Sequence, residues 1–253
     1  MRIVILTTEG DKANILYHRL DKTYDIANVF MEKPVPRSRL IKKRIKKMGI
    51  RKVVGQILFK IMIAKKLEHR SFQRIQQIIS ENQLDSSPIP EEKIINVTSV
   101  NDANCIKRLQ ELKPDMVIVH GTRIISKEVL QSVEVPFINM HAGITPFYRG
   151  VHGGYWALAN QDPDHCGVTI HLIDEGIDTG GVIYQSVISV TPEDNFITYP
   201  YLQFALGLCD MIKVIEDFMG EGIKTHRVDL PSMFRTHPTL WEYRFYKKKY
   251  GVK

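Results

Sequence analysis

A doubly wound α/β domain on a mostly parallel sheet follows from three features of this 253-residue sequence. Short apolar runs rich in β-branched residues recur at residues 2–7, 116–119 and 135–140, the pattern of strands buried on both faces. Segments of helical periodicity stand between such runs. Residues 2–30 read as strand, helix and strand at the spacing of a parallel βαβ unit.

The elements follow in order. The first strand, 2–7, is bounded by Thr8-Glu9-Gly10-Asp11 and leads into a helix over 12–20. A second strand at 26–30 is closed by Pro34 and Pro36. Apolar residues then recur at helical spacing from Leu40 to Met62 among Lys and Arg, which predicts an amphipathic helix or helix pair broken near Gly49 or Gly55. A helix over 71–81 and a loop around Pro88 and Pro90 follow. Strands at 94–97 and 116–119 flank a helix over 102–112, and 126–132 reads as helix with Ser126 as N-cap. A buried strand at 135–140 is followed by a helix over 155–161. Strands at 168–173 and 182–190 come next, the second alternating enough for an antiparallel or edge position. A long helix spans 196–219, and from His226 the tail shows no clear period. The expected organisation is a catalytic domain over 1–190, carrying a basic helical insertion at 37–83, and a C-terminal helix with a short extension over 191–253.

Hydrophobic content of 43% with 25% charged residues is that of a globular protein, and no apolar run approaches the roughly 18–20 residues needed to span a bilayer. Cys105, Cys166 and Cys209 are widely spaced and lack metal-ligand spacing, and none of the nine histidines forms a metal cluster with cysteine or carboxylate. No metal is expected, and a reducing cytoplasm is the simpler setting. The net charge of +7 is local: residues 37–66 contain twelve Lys or Arg and no Asp or Glu, so the remainder of the chain is at −5.

The chemistry concentrates in two segments. The first is Ile138-Asn139-Met140-His141-Ala142-Gly143, continuing through Pro146 to Tyr148-Arg149-Gly150; the second is Asp174-Glu175-Gly176-Ile177-Asp178-Thr179-Gly180-Gly181. Asn139 and His141 lie two apart at a strand end, so both side chains project to one side of the sheet, beyond the edge where open α/β sheets bind ligands. An Asn amide can donate to a developing oxyanion, a His can shuttle a proton, and a carboxylate such as Asp178 can orient the His or hold a relaying water. Those parts suit transfer of a one-carbon acyl group to an amine. Alone, an Asn-x-His or an Asp-Thr-Gly-Gly is more often an accident or a turn; their joint occurrence in this order points to a site.

The ordered set Asn-x-His-x4-Pro-x2-Arg-Gly, then Gly167-Val168-Thr169-Ile170-His171 and Asp-x-Gly-x-Asp-Thr-Gly, resembles the folate-dependent formyltransferases, chiefly over residues 114–185. The resemblance implies a Rossmann-like core, Asn139, His141 and Asp178 as the catalytic set, and 10-formyl-tetrahydrofolate as formyl donor. It implies folate contacts from Gly121, Arg123 and Ile125, through backbone groups, facing the loop that carries Asp174, Gly176 and Ile177. Gly10, Lys12 and Asn14 after the first strand, and Tyr148, Arg149, Gly150 and His152 after the motif, are read as acceptor-binding positions. His171 reads as structural support for the motif, and His120 as a strand-end residue that packs or touches folate.

Within that family, the first loop lacks the Gly- and Ser-rich phosphate loop of the purine-pathway branch, and only 63 residues follow Val190, against about a hundred in the C-terminal domain of the methionyl-tRNA branch. The sugar-nucleotide branch remains, with a nucleotide-linked amino sugar as acceptor for a polysaccharide pathway. The basic segment could then meet the pyrophosphate, and Tyr199, Tyr201, Trp241, Tyr243 and Phe245 could stack a base, though a solvated helix and core packing are the simpler readings. The partners expected are small molecules, with no nucleic acid and no membrane span, and the aromatic tail is compatible with a homodimer. Glycinamide ribonucleotide or methionyl-tRNA as acceptor, a formyl-folate hydrolase, and a polybasic membrane- or RNA-binding protein are the alternatives.

Overall fold

A computed structural model describes residues 1–253. The chain runs β1 (Arg2–Thr8), α1 (Asp11–Asp21), β2 (Asp25–Glu32), α2 (Arg37–Met48), α3 (Ile50–Phe59), α4 (Lys65–Arg70), α5 (Phe72–Glu81), β3 (Ile94–Val97), α6 (Ala103–Leu112), β4 (Met116–His120), α7 (Lys127–Leu130) and β5 (Phe137–His141). It continues through β6 (Arg149–Gly150), α8 (Gly153–Ala159), β7 (Gly167–Leu172), β8 (Val182–Val187), α9 (Tyr199–Met219), β9 (Phe234–Arg235) and α10 (Leu240–Tyr250). No helix is long and apolar enough to cross a membrane.

Seven strands form one sheet in the order β3-β2-β1-β4-β5-β7-β8. The first five are parallel; β7 runs antiparallel to β5 and β8 antiparallel to β7 at the edge, the place that the alternation over 182–190 predicted for the second of these strands alone. Both faces are covered. Ile3, Ile5, Ile118 and Ile138 point into a core shared with α1 and α9, while Val4, Leu6, Val117 and Val119 point the other way, against Cys105 and Leu109 of α6. Side chains alternate faces along a strand, so strands buried on both sides read as the unbroken apolar runs seen in the sequence.

A third core joins the basic insertion to the rest. Phe59 of α3 packs with Tyr155 and Trp156 of α8, Phe196, Tyr199 of α9, and Leu240 and Tyr243 of α10. Tyr199 and Tyr243 therefore fill the core rather than offering a surface on which a base could stack. The insertion breaks at Gly49, where φ is +81, and not at Gly55. Gly55 is instead a contact point, with the Trp241 indole lying where its Cβ would be. One π turn, Lys60–Ala64, links α3 to α4.

Two local expectations are corrected. Ser126 occupies the N-cap position of α7, but its side chain makes no capping bond and the helix is only four residues long. The tail is not without regular structure: α10 opens with a capping box in which Thr239 Oγ1 accepts from Glu242 N (3.2 Å) and Glu242 accepts from Thr239 N (2.7 Å). That Thr-x-x-Glu spacing stands in the sequence, but the aromatic crowding of 240–250 masks the helical period.

Candidate active site

The site lies at the carboxyl end of β5, where β7 pairs antiparallel to it. The register sets Asn139 opposite His171 and His141 opposite Thr169. Four polar side chains thus share one patch of two neighbouring strands, because residues two apart project to one side.

His141 is buried, and its Nε2 lies 2.8 Å from the Tyr148 carbonyl oxygen. A carbonyl only accepts, so Nε2 carries the proton in this contact. Nδ1 then faces Asp178 Oδ1 at 3.4 Å. A proton gained by the ring comes to rest on Nδ1, beside a carboxylate that stabilises it. The other Asp178 oxygen accepts from Gly150 N (2.9 Å), which fixes the carboxylate. Asp178 itself sits at φ +51, a left-handed conformation that Asp tolerates better than most side chains.

His171 resolves the orientation of Asn139. Its Nδ1 donates to the Leu172 carbonyl (2.7 Å), and its Nε2 lies 3.1 Å from Asn139 Nδ2. Burial lowers the His171 pKa, so the ring stays neutral and Nε2 is left as an acceptor. One Asn139 N–H is thereby held by His171, and the second remains free to donate. Asp178 Oδ1 is 3.9 Å from His171 Nε2, but with that ring neutral the separation is not an ion pair.

The loop after His141 is held closely. Thr169 Oγ1 donates to the Gly143 carbonyl (2.8 Å), and Gln185 Nε2 donates to the Thr145 carbonyl (2.6 Å). Gly143 has no room for a side chain: a Cβ there would overlap the Tyr148 carbonyl oxygen and come 2.8 Å from His141 Nε2. On the facing loop, Asp174 accepts from Gly176 N (2.9 Å) and Thr179 Oγ1 (2.7 Å), so its carboxylate shapes the turn that presents Asp178. The Ile177 carbonyl accepts from Arg149 Nε (2.7 Å).

The remaining expected positions fall into distinct places. Gly121, at φ +72, carries the carbonyl that accepts from Thr8 Oγ1 (3.3 Å), and Ile125 is buried. Arg123 forms an ion pair with buried Glu32 (3.1 Å) and donates to the Lys33 and Thr98 carbonyls (2.8 and 3.0 Å), so its guanidinium ties the ends of β2, β3 and β4 together. Gly10 caps α1, and Asn14 Nδ2 donates to the Ser86 carbonyl (3.1 Å). Lys12 Nζ donates to the Pro200 carbonyl (3.2 Å), and burial brings its pKa down to about 8. Burial, with a smaller contribution from the Lys12 charge, lowers the His120 pKa to about 3, and burial, His237 and then Lys12 lower that of His152. His152 is paired to His237 Nδ1 (2.9 Å).

Two of the acceptor-binding expectations fall on side chains that already have partners within the protein. The Tyr148 ring is fully buried and its hydroxyl donates to Asp162 (2.9 Å), so this residue reaches the site only through its carbonyl. Arg149 braces Ile177 and Ser232 (Nη1 to Oγ, 2.7 Å), joining three segments of wall. Sequence reasoning missed the tail as a wall. β9 pairs with β6, and Arg149 N and Val151 N donate to the Met233 and Arg235 carbonyls (3.0 and 3.2 Å). It also missed Thr169 and Gln185, although polar residues at 169 and 171 interrupting an apolar strand were a usable signal.

Comparison with known proteins agrees with this geometry. Residues 1–200 match the family described as formyl transferase. A methionyl-tRNA formyltransferase of Thermodesulfovibrio yellowstonii is 40% identical over 128 residues, 50% of this chain but only 41% of that protein, so the matched part spans less than half of the relative's length. Among solved structures, a 4-N formyltransferase from Francisella tularensis has a TM-score of 0.56 at 17% identity, covering 92% of this chain and 75% of that one. A phosphoribosylglycinamide formyltransferase from Streptococcus pneumoniae has 0.55 at 18% identity, covering 86% and 98%. At those identities the structures establish the shared fold. With 200 of its residues matched by the family and its motif side chains gathered at one strand end, the chain belongs to the formyl transferase family.

Proposed function

We propose that this chain transfers a formyl group from 10-formyl-tetrahydrofolate to the amine of a nucleotide-linked amino sugar. The observation that carries the reading is that, at one strand end, Asn139 Nδ2 has one N–H held by His171 and one free, while His141 has Nε2 held by the Tyr148 carbonyl and Nδ1 beside Asp178. The free N–H of Asn139 donates to the formyl oxygen as charge develops there, a contribution of about 2.7–4 kcal/mol where such donors have been removed. His141 takes the proton that the attacking amine sheds onto Nδ1, against Asp178, and returns it to the leaving nitrogen. The bond from carbon to the folate nitrogen breaks as the new carbon–nitrogen bond is completed. Gly121, Arg123 and Ile125 would line the folate side through their backbone, opposite the Asp174–Asp178 loop.

The sugar acceptor is supported by the absence of a Gly- and Ser-rich first loop and by fold neighbours named as sugar N-formyltransferases. Lys12, partly buried with no carboxylate bound to it, would meet the acceptor's anionic group. A methionyl-tRNA acceptor is the second reading, favoured by the 40% identical relative.

Release of tetrahydrofolate measured against a panel of nucleotide-linked amino sugars, glycinamide ribonucleotide and charged methionyl-tRNA decides between them. Turnover on an amino sugar, with a product heavier by one formyl group, is the expected result. Turnover on methionyl-tRNA alone would replace the acceptor, and release without any acceptor would make the chain a hydrolase.

A further inference from the structure

The basic insertion has a surface that the transfer chemistry does not use. No residue of α2 is buried, and Leu40, Ile41 and Ile45 stand more than a third exposed among seven Lys and Arg. On α3 and the π turn after it, Val53, Gln56 and Phe59 face the core, while Ile50, Val54, Ile57 and Ile61 recur every three or four residues on the opposite side. Ile50 is 66% exposed and Ile61 56%. Arg51, Lys52 and Lys60 accompany this aliphatic row, and none of the twelve cations between Arg37 and Lys66 has a carboxylate within 4 Å. The surface extends onto α10, which packs on α3: Trp241 lies over Gly55 yet is 44% exposed, Phe245 is 54% exposed, and Lys247, Lys248 and Lys249 follow.

We propose that α2, α3 and the exposed edge of α10 form a docking surface for an anionic lipid bilayer. Charge selects this occupant. A second copy joined through the same patch would set twelve cations against twelve with no acidic residue in the segment to offset them. A nucleic acid would engage the cations and leave the aliphatic row in water. An anionic bilayer takes both: cations rest on the headgroup phosphates, aliphatic side chains enter the headgroup–acyl boundary, and the indole settles at that boundary. The helices lie on the membrane rather than crossing it, and the rest of the chain, at net −5, faces away.

Flotation of the full chain with vesicles of phosphatidylcholine, alone or mixed with phosphatidylglycerol, tests the proposal. The protein is expected to float with the mixed vesicles only, and less so as salt rises. Trp241 emission should shift to the blue on binding, whereas Trp156, 4% exposed, stays as it is. Ile57→Asp with Ile61→Asp should weaken partitioning by about tenfold or more, and Lys42→Glu with Lys43→Glu likewise. All four positions are exposed, so both variants should keep the parent's melting temperature and formyl-transfer rate in solution. Failure to float with anionic vesicles, equal flotation with neutral ones, or unchanged partitioning of the Ile57/Ile61 variant would each overturn it. So would a stable dimer that the Ile57→Asp change dissociates, or an RNA held more tightly than the anionic vesicles.

Discussion

The β5–β7 patch and the basic insertion represent opposite ways of building a surface. At the patch, Asn139, His141, Thr169, His171 and Asp178 are each held by at least one hydrogen bond within the protein, and Gly143 leaves no slack beside His141. Across α2 and α3 of the insertion, Gln56 alone has side-chain hydrogen bonds, to Thr236 and the His237 carbonyl, and α2 buries nothing. The difference teaches where each kind of specificity comes from. Chemistry needs atoms fixed to fractions of an ångström, so short polar contacts dominate the patch. A surface that meets a soft, laterally uniform partner needs only a row of apolar side chains and an excess of charge.

Asp178→Asn should produce the largest effect on the patch. It removes the carboxylate beside His141 Nδ1 while leaving an oxygen for Gly150 N, and turnover should fall by about a hundredfold to ten-thousandfold with the melting temperature nearly unchanged. Single-turnover rates of formyl transfer measure it; a rate within threefold of the parent would remove Asp178 from the chemistry.

Next comes Gly143→Ala. The added methyl must displace the loop that carries the Tyr148 carbonyl or the His141 ring, and a shift of about 1 Å lowers turnover by about a hundredfold. Here the steady-state rate is compared with donor affinity, which should hold. Unaltered catalysis would show that the patch tolerates more movement than its contacts imply.

His171→Leu should have a smaller and more specific effect. Losing the acceptor for Asn139 Nδ2 lets the amide rotate, lowering kcat by roughly tenfold to thirtyfold, below the loss of the donor itself. KM for the donor should stay constant, and His171→Gln, whose carbonyl can accept the same N–H, should recover much of the rate. No recovery by the Gln variant would make His171 a packing residue rather than one that positions Asn139.

The insertion should respond in the reverse sense. Gly55→Ala drives a methyl into the rigid Trp241 indole and should destabilise the α3–α10 contact by about 1–3 kcal/mol, with the melting temperature falling by about 2–4 °C per kcal/mol. Formyl transfer by the folded enzyme should not change. A large loss of turnover would show that the insertion and the patch are mechanically coupled.

Much of this was readable in the chain beforehand, for physical reasons. The sheet announced itself because β1, β4 and β5 are buried on both faces along most of their length and therefore mostly apolar. Asn139 and His141 stood out because polar residues at alternate positions near the end of such a strand need a function or a partner. What stayed hidden depends on long-range pairing. The Tyr148 carbonyl that fixes His141 carries no side-chain signature, and the Asn139–His171 contact exists only once β7 is known to run antiparallel beside β5. The left-handed turn at Asp178 hides among glycines that would have been the first candidates for it. Arg149 looked like a ligand because a cation after a motif suggests an anion, whereas its partners are a carbonyl and a hydroxyl from remote segments.

The pairing of Phe234–Arg235 with Arg149–Gly150 has a consequence for the order of events during synthesis. The two strands lie 85 positions apart, and the later one emerges from the ribosome after every residue of the central sheet. The sheet can collapse on its helices while the chain is still growing, but the wall beside Asp178 cannot close until His237 has been made. A nascent chain therefore presents an unfinished cleft until Phe234–Arg235 is captured, and the closure entropy of the loop from Gly150 falls on that late step rather than on the sheet.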